Sequence, residues 1–197
     1  LRVCARLGIE LDELVGASCT GSGVLQEKNL LLGDTLNART FAMAEQKGLP
    51  IMTICSTCQG VMSQANARLR KDDTYLAQVN EILAEEGLQY RGTTEVTHLM
   101  WVLVEDIGLE TLKGQFTREG LSQLKVAPFY GCYIIRPAQP LGFEEHPQRA
   151  RALEDIIEAV GAVAVDFDGK TRCCGFPILT INERNSMAMV SKHNADA

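Results

Sequence analysis

Six of the seven cysteines in this 197-residue chain fall into two sets of three. The first set consists of Cys19, Cys55 and Cys58, and the second consists of Cys132, Cys173 and Cys174. Thiolates are soft ligands that favour zinc or iron–sulfur clusters. A CxxC turn between a strand and a helix aims both sulfurs at one site, where the helix N-terminus favours their negative charge. We therefore expect each set to hold a metal centre.

The sequence before Cys19 is similar to the sequence before Cys173. In each stretch a glycine ends a helix and an apolar strand leads to the cysteine, which Gly21 or Gly175 follows two residues later. Two copies of one cysteine-bearing unit would make the halves pseudo-equivalent. Each half would then lack a cysteine that the other has. We therefore expect another cysteine about twenty residues before the first residue, and a CxxC about twelve residues after the last.

Strands and helices are predicted to alternate along the chain, which favours an α/β fold with largely parallel sheets. Gly48 and Gly161 are expected to end helices, and Asp34 and Asn182 are expected to cap two others. Residues 96–104 fit either a helix or a buried strand. The predicted strands are 49–54, 125–130 and 162–167, and the predicted helices are 34–47, 59–70, 75–86, 147–160 and 182–193.

The polar segment 114–124 is predicted to connect two domains. Residues 1–113 would form the first cysteine-bearing repeat and residues 125–197 the second, with a pseudo-twofold axis between them. We expect the first repeat to lack its N-terminal part and the second to lack its C-terminal part.

The composition excludes several classes of protein. The formal net charge is −6 and the chain has no basic block, so we expect no nucleic-acid binding. The longest apolar run, residues 99–104, is far shorter than the ~18–20 residues that cross a bilayer, so we expect no transmembrane segment. Because Arg2, Arg6 and Glu10 interrupt any apolar stretch at the start of the sequence, we expect no signal peptide. This many cysteines without a secretion signal indicates a reducing, cytoplasmic compartment.

The motif YGCYIIRP followed by CCGFPILTINERNS, with CSTCQG upstream, resembles the cysteine-rich CCG family. That family includes the B subunit of coenzyme B–coenzyme M heterodisulfide reductase and the E subunit of unusual succinate dehydrogenases and fumarate reductases. The resemblance implies duplicated α/β domains with an iron–sulfur site in each repeat. It also implies an electron-transfer subunit of an oxidoreductase, which passes electrons through its cluster to or from quinone or a disulfide.

The resemblance further implies the ligands. The metal-binding residues would be Cys19, Cys55, Cys58, Cys132, Cys173 and Cys174. Thr20 stands where the first repeat's second adjacent cysteine would be. The first site therefore has at most four cysteines, which suits a conventional 4Fe–4S cluster or zinc. The second site matches the pattern of heterodisulfide reductase, in which five cysteines hold a non-cubane 4Fe–4S cluster.

The same resemblance implies the partners and the location. Flavoprotein and iron–sulfur subunits of the same complex would bind this chain, since nothing in its sequence indicates a flavin site. The complex would lie in the cytoplasm or bind peripherally to the cytoplasmic face of the membrane. We identify no catalytic residue on this chain.

Two other interpretations of the cysteines stay open. One is a zinc-stabilised interaction module without redox function, and the other is a thioredoxin-like exchange protein that uses the CSTC motif.

Outside the two sets, Cys4 is expected to be a buried structural thiol. We expect His98 to cap a helix or fill the core, and His193 to face solvent. Arg136 fits either a partner of cluster charge or a surface ion pair.

Overall fold

The computed structural model describes residues 2–115 and 121–197. The α-helices of this part are α1 (Arg2–Arg6), α2 (Val24–Lys28), α3 (Leu30–Lys47), α4 (Ser56–Lys71), α5 (Asp73–Leu83), α6 (Leu99–Trp101), α7 (Leu109–Gln115), α8 (Ala152–Ala159) and α9 (Glu183–Asp196). The strands are β1 (Ile51–Thr53), β2 (Val96–His98), β3 (Lys125–Val126) and β4 (Val163–Ala164). Short 3₁₀ turns are Ala84–Glu86, Gln139–Leu141, Pro147–Arg151 and Phe176–Ile178, and Val102–Ile107 is π-helical.

The strands form two short parallel sheets. Strand β1 pairs with β2, with Ile51 opposite Val96, and β3 pairs with β4, with Lys125 opposite Val163. The predicted α/β fold with parallel pairing is confirmed. The three predicted six-residue strands are nevertheless only two or three residues long in β1, β3 and β4. Strand β3 ends just before Pro128 because proline has no backbone N–H to extend the ladder.

The start of α3 differs from its prediction. Asn29, rather than Asp34, caps this helix, and its Oδ1 accepts a hydrogen bond from the backbone N–H of Leu32. Asp34 is instead fully buried, and Arg68 donates hydrogen bonds of 2.8 and 2.6 Å to its carboxylate. The prediction was wrong because this distant partner outweighs a local capping preference. Gly48 ends the helix as predicted, with φ 66°.

Capping signals elsewhere are confirmed. The Oδ1 of Asn182 accepts a hydrogen bond from the N–H of Asn185 at the start of α9. The Nδ1 of His98 accepts one from the N–H of Met100 at the start of α6.

Cys4 is buried on α1, as expected. Within residues 2–115 and 121–197, no helix has both the length and the apolar character needed to span a membrane.

Two apolar cores lie on the two sides of the chain's midpoint. The first, between α3, α4 and α5, contains Ala38, Phe41, Ala42, Met62, Ala65, Leu69, Val79, Leu83 and Tyr90. The second contains Met100, Trp101, Tyr130, Ile134, Leu141 and Ala152.

Residues 96–104, for which the sequence allowed either a helix or a strand, begin as β2 and continue as helix. Residues 116–120 of the predicted connection lie outside the described residues, so the domain limits 1–113 and 125–197 stay a prediction.

Candidate metal centre

The CxxC pair lies where β1 leads into α4, as the sequence predicts. Cys55 is the N-cap residue of α4, and Cys58 lies in its first turn. Burial raises the pKa of the Cys55 thiol, but hydrogen bonds from Cys58 and Thr57 together outweigh it and lower the pKa. Cys55 is also exposed. An accessible thiol with a lowered pKa at a helix start is well suited to bind metal as a thiolate.

Gln59, directly after Cys58, fixes the CxxC turn to the first sheet. Its fully buried side chain accepts a 2.8 Å hydrogen bond from the hydroxyl of Thr53 on β1. Its Nε2 donates to the carbonyl oxygen of Val96 on β2 and to the hydroxyl of Ser63, both at 3.0 Å. Both strands therefore hold the start of α4, so the sheet sets the position of the two sulfurs.

The fold brings Cys19 to the CxxC turn from a distant part of the sequence. Burial raises the pKa of Cys58, and the thiols of Cys55 and Cys19 raise it further. The hydroxyl of Thr20 opposes this effect, because it donates a hydrogen bond to the Cys58 Sγ at 3.5 Å. Cys19 therefore lies near enough to Cys58 to affect its pKa, and the residue after Cys19 contacts the Cys58 sulfur.

The second set lies beyond the ends of β3 and β4. Burial raises the pKa of Cys132, and the thiols of Cys173 and Cys174 raise it further. The Cys173 Sγ accepts a hydrogen bond from the N–H of Gly175 at 3.5 Å, and the Cys174 Sγ accepts one from the N–H of Phe176 at 3.4 Å. The two loops thus bring their thiols to one region, with backbone donors directed at two of the sulfurs.

Hydrogen bonds tie the two loops of the second set together. The backbone N–H groups of Tyr130 and Gly131 donate to the carbonyl oxygen of Lys170 at 2.8 and 3.2 Å. The Nη2 of Arg136 donates to the carbonyl oxygen of Thr171 at 2.7 Å. Arg136 therefore joins the two cysteine-bearing loops.

Tyr133, next to Cys132, lies against the elements that carry the first set. A Cβ atom at Gly60 would stand 2.3 Å from the backbone oxygen of Tyr133, and a Cβ atom at Gly23 would stand 1.7 Å from its hydroxyl. Only glycine leaves room for this contact at both positions. Since Gly60 follows Cys58 by two residues, the segments of the two cysteine sets meet at Tyr133.

Comparison with known proteins assigns both cysteine sets to one kind of domain. A family model described as the CCG cysteine-rich domain matches residues 1–63 and 126–197, with one cysteine set in each segment. This chain belongs to the CCG family. The two matched segments confirm the duplication that the family resemblance implied.

Three curated relatives match most of this chain. It is 42% identical to the 8-methylmenaquinol:fumarate reductase membrane anchor subunit of Wolinella succinogenes, over 94% of this chain and 63% of that protein. It is 36% identical to a protein of Archaeoglobus profundus that is named as similar to the B subunit of heterodisulfide reductase, over 88% of this chain and 58% of the relative. It is 35% identical to the B subunit of the ferredoxin/F420H2-dependent CoB-CoM heterodisulfide reductase of Methanosarcina acetivorans, over 86% and 56%. The chain therefore spans about three fifths of the length of these oxidoreductase subunits.

The cysteine sulfurs of each CCG segment are the type of donor atom that binds thiolate-ligated metals. All are soft sulfurs, and several accept hydrogen bonds from N–H or O–H groups, as cluster sulfurs do. Within residues 2–115 and 121–197, however, no group of three or more Cys, His, Asp or Glu side chains is arranged to hold a metal ion by itself. The assignment of ligands therefore stays a prediction for Cys19, Cys55, Cys58, Cys132, Cys173 and Cys174.

Helix α9 supports the CCG turn of the second segment through two residues that the sequence analysis missed. His193, expected to face solvent, is buried with 8% of its surface exposed, and its Nε2 lies 2.9 Å from the carbonyl oxygen of Cys173. The Ser186 hydroxyl donates to the carbonyl oxygen of Gly175 at 3.0 Å. Seven residues, about two helical turns, separate Ser186 from His193, so they share one face. That spacing was the available signal for a polar face packed on the turn.

Proposed function

We propose that this chain is an iron–sulfur electron-transfer subunit of an oxidoreductase complex. The observation that carries the proposal is the duplication of the cysteine set, one in each CCG segment, with hydrogen-bond donors directed at the sulfurs of each set. The relatives support it, because the name of each of them refers to a reductase subunit.

In this proposal each cysteine set holds one 4Fe–4S cluster. The ligands from this chain are Cys19, Cys55 and Cys58 in the first set, and Cys132, Cys173 and Cys174 in the second. A bound iron–sulfur cluster supplies one-electron transfer. The second cluster is of the non-cubane kind, because adjacent cysteines contribute to it, and the first is conventional. The N–H groups of Gly175 and Phe176 stabilise negative charge on the sulfurs that they contact.

The proposed partners are a flavoprotein subunit and an iron–sulfur subunit, at the cytoplasmic face of the membrane. Quinol is the electron partner that we favour, because the relative with 42% identity is named as a subunit of an 8-methylmenaquinol:fumarate reductase. Disulfide reduction is the second candidate, which two relatives named for heterodisulfide reductase support.

Spectroscopy of the anaerobically purified full-length protein tests this function. We expect a brown protein that gains or loses paramagnetic signals when one electron is added. The Cys55→Ser variant should lose the signal of the first set, and Cys132→Ser should lose that of the second. Cys4→Ala is the matched control, since Cys4 is a buried thiol outside both sets, and it should keep both signals.

Two results would contradict the proposal in different ways. A colourless protein with stoichiometric zinc at both sets would identify a zinc-stabilised interaction module. Thiol–disulfide exchange that survives removal of metal by a chelator would identify a thioredoxin-like protein instead.

A further inference from the structure

Thr20 occupies the position after Cys19 that corresponds to Cys174 in the second repeat. Its hydroxyl donates a hydrogen bond to the Sγ of Cys58 at 3.5 Å. Only 7% of the surface of Thr20 is exposed, so water has little access to compete for this hydroxyl. Where the second repeat has a thiol, the first repeat therefore has a hydrogen-bond donor directed at a sulfur.

The backbone of Thr20 is held in place from two sides. The Nε2 of Gln26 donates to its carbonyl oxygen at 2.7 Å, and the Nδ2 of Asn37 donates to the same atom at 3.3 Å. Asn37 is itself buried on α3 and donates to the carbonyl oxygen of Gly33 at 2.7 Å. These hydrogen bonds therefore fix the backbone that carries the Thr20 hydroxyl.

We infer that Thr20 is a positioning residue that tunes the first cluster through the sulfur of Cys58. A hydrogen bond to a ligand sulfur stabilises the more negative, reduced state of a cluster, and so raises its reduction potential. A second cysteine at this position would have the opposite effect, because a thiolate adds negative charge. The inference rests on the proposed function, since a cluster must be present for its potential to be tuned.

Three variants separate the hydroxyl from the shape of the side chain. Thr20→Val removes the hydroxyl and keeps the branched shape, whereas Thr20→Ser keeps the hydroxyl. Thr35→Val is the matched control. Thr35 is also 7% exposed, and its hydroxyl donates to the carbonyl oxygen of Leu31 at 2.7 Å within α3. The readout is a potentiometric titration of the full-length anaerobic protein, followed by electron paramagnetic resonance, with dithionite as the reductant.

The signal of the first set is the one that Cys55→Ser abolishes. At the potential where this signal is half developed in the wild type, we expect Thr20→Val to lower the ratio of reduced to oxidised cluster about three- to tenfold. A tenfold change corresponds to about 59 mV for a one-electron couple. Thr20→Ser and Thr35→Val should keep the wild-type potential.

Equal potentials in the wild type and in Thr20→Val would overturn the inference and leave the proposed function intact. A wild-type protein without a reducible centre at the first set would overturn the proposed function, and the inference with it. Circular dichroism checks the fold of each variant. If Thr20→Val does not fold, Thr20→Ala takes its place, and an unchanged potential in that variant also overturns the inference.

Discussion

The Nε2 of His193 lies 2.9 Å from the carbonyl oxygen of Cys173, so a buried histidine on α9 holds the cysteine turn of the second repeat. A carbonyl oxygen only accepts hydrogen bonds, so the Nε2 carries the proton and donates it. The orientation of the Cys173–Cys174 turn therefore depends on a side chain that lies 20 residues further along the chain.

Replacing His193 with alanine should loosen this turn. We expect His193→Ala to lower the free energy of unfolding by about 1–3 kcal/mol, because it removes a buried side chain together with its hydrogen bond to Cys173. The iron content of the second set should fall as well, whereas the first set should keep its iron. Urea unfolding and iron analysis measure the two effects. Lys192→Ala, at an exposed neighbouring position, is the control. Equal iron content in both variants would show that His193 does not position the turn.

Two glycine-to-alanine changes in helices should have opposite effects. Gly60→Ala places a Cβ atom 2.3 Å from the backbone oxygen of Tyr133, and we expect overpacking to cost about 1–3 kcal/mol despite the higher helix propensity of alanine. At Gly114, on α7, a Cβ atom would meet no atom of the described residues within 4 Å. Gly114→Ala should therefore be neutral or slightly stabilising. Thermal unfolding measures both, and a Gly60→Ala variant as stable as Gly114→Ala would refute the close contact at Tyr133.

The buried carboxylate of Asp34 should make Arg68 important for stability. Arg68→Met removes both guanidinium hydrogen bonds and leaves the fully buried carboxylate with only the Tyr75 hydroxyl, at 3.1 Å, as a donor. Loss of the charged partner of a buried ion typically costs about 3–5 kcal/mol. Glu86→Gln breaks the more exposed ion pair with Arg39, and should cost less than about 1 kcal/mol. Urea unfolding compares the two variants. Similar losses in both would contradict the importance of burial at Asp34.

The stability of the fold should depend on the protonation of His98. Burial lowers the pKa of His98 below its ordinary value of 6.5, and the carbonyl of Ile54 only partly opposes this. The unfolded chain therefore takes up the proton first as the pH falls, so stability decreases below about pH 6.5. His98→Asn keeps a capping acceptor for the N–H of Met100 but cannot titrate. As the pH is lowered from about 7.5 to about 5, the urea midpoint should fall more steeply in the wild type than in this variant. Identical slopes would rule out the role of His98.

Local signals in the sequence predicted the parts of the site that depend on neighbouring residues. The strand-to-helix turn at Cys55, the helix end at Gly48 and the cap at Asn182 all follow from preferences within a few residues. The burial of Asp34 and His193 could not be predicted in this way. Their partners lie 34 and 20 residues away, and only the packing of helices brings them together.

The contact at Tyr133 between the segments that carry the two cysteine sets could not be predicted from residue spacing either. Repeat spacing predicted two equivalent sets, but it gave no distance between them. The contact between the two segments depends on Tyr133, which fits closely against Gly23 and Gly60 because these residues have no side chain. The internal repeat and the family resemblance predicted the duplication, whereas the contact is visible only in the folded chain.

Analysis of iron and acid-labile sulfide in the full-length protein, purified without oxygen, tests most directly whether folding gathers these thiols around iron. The proposed function predicts about four irons and four sulfides for each cysteine set. Zinc at both sets, with neither iron nor sulfide, would contradict it.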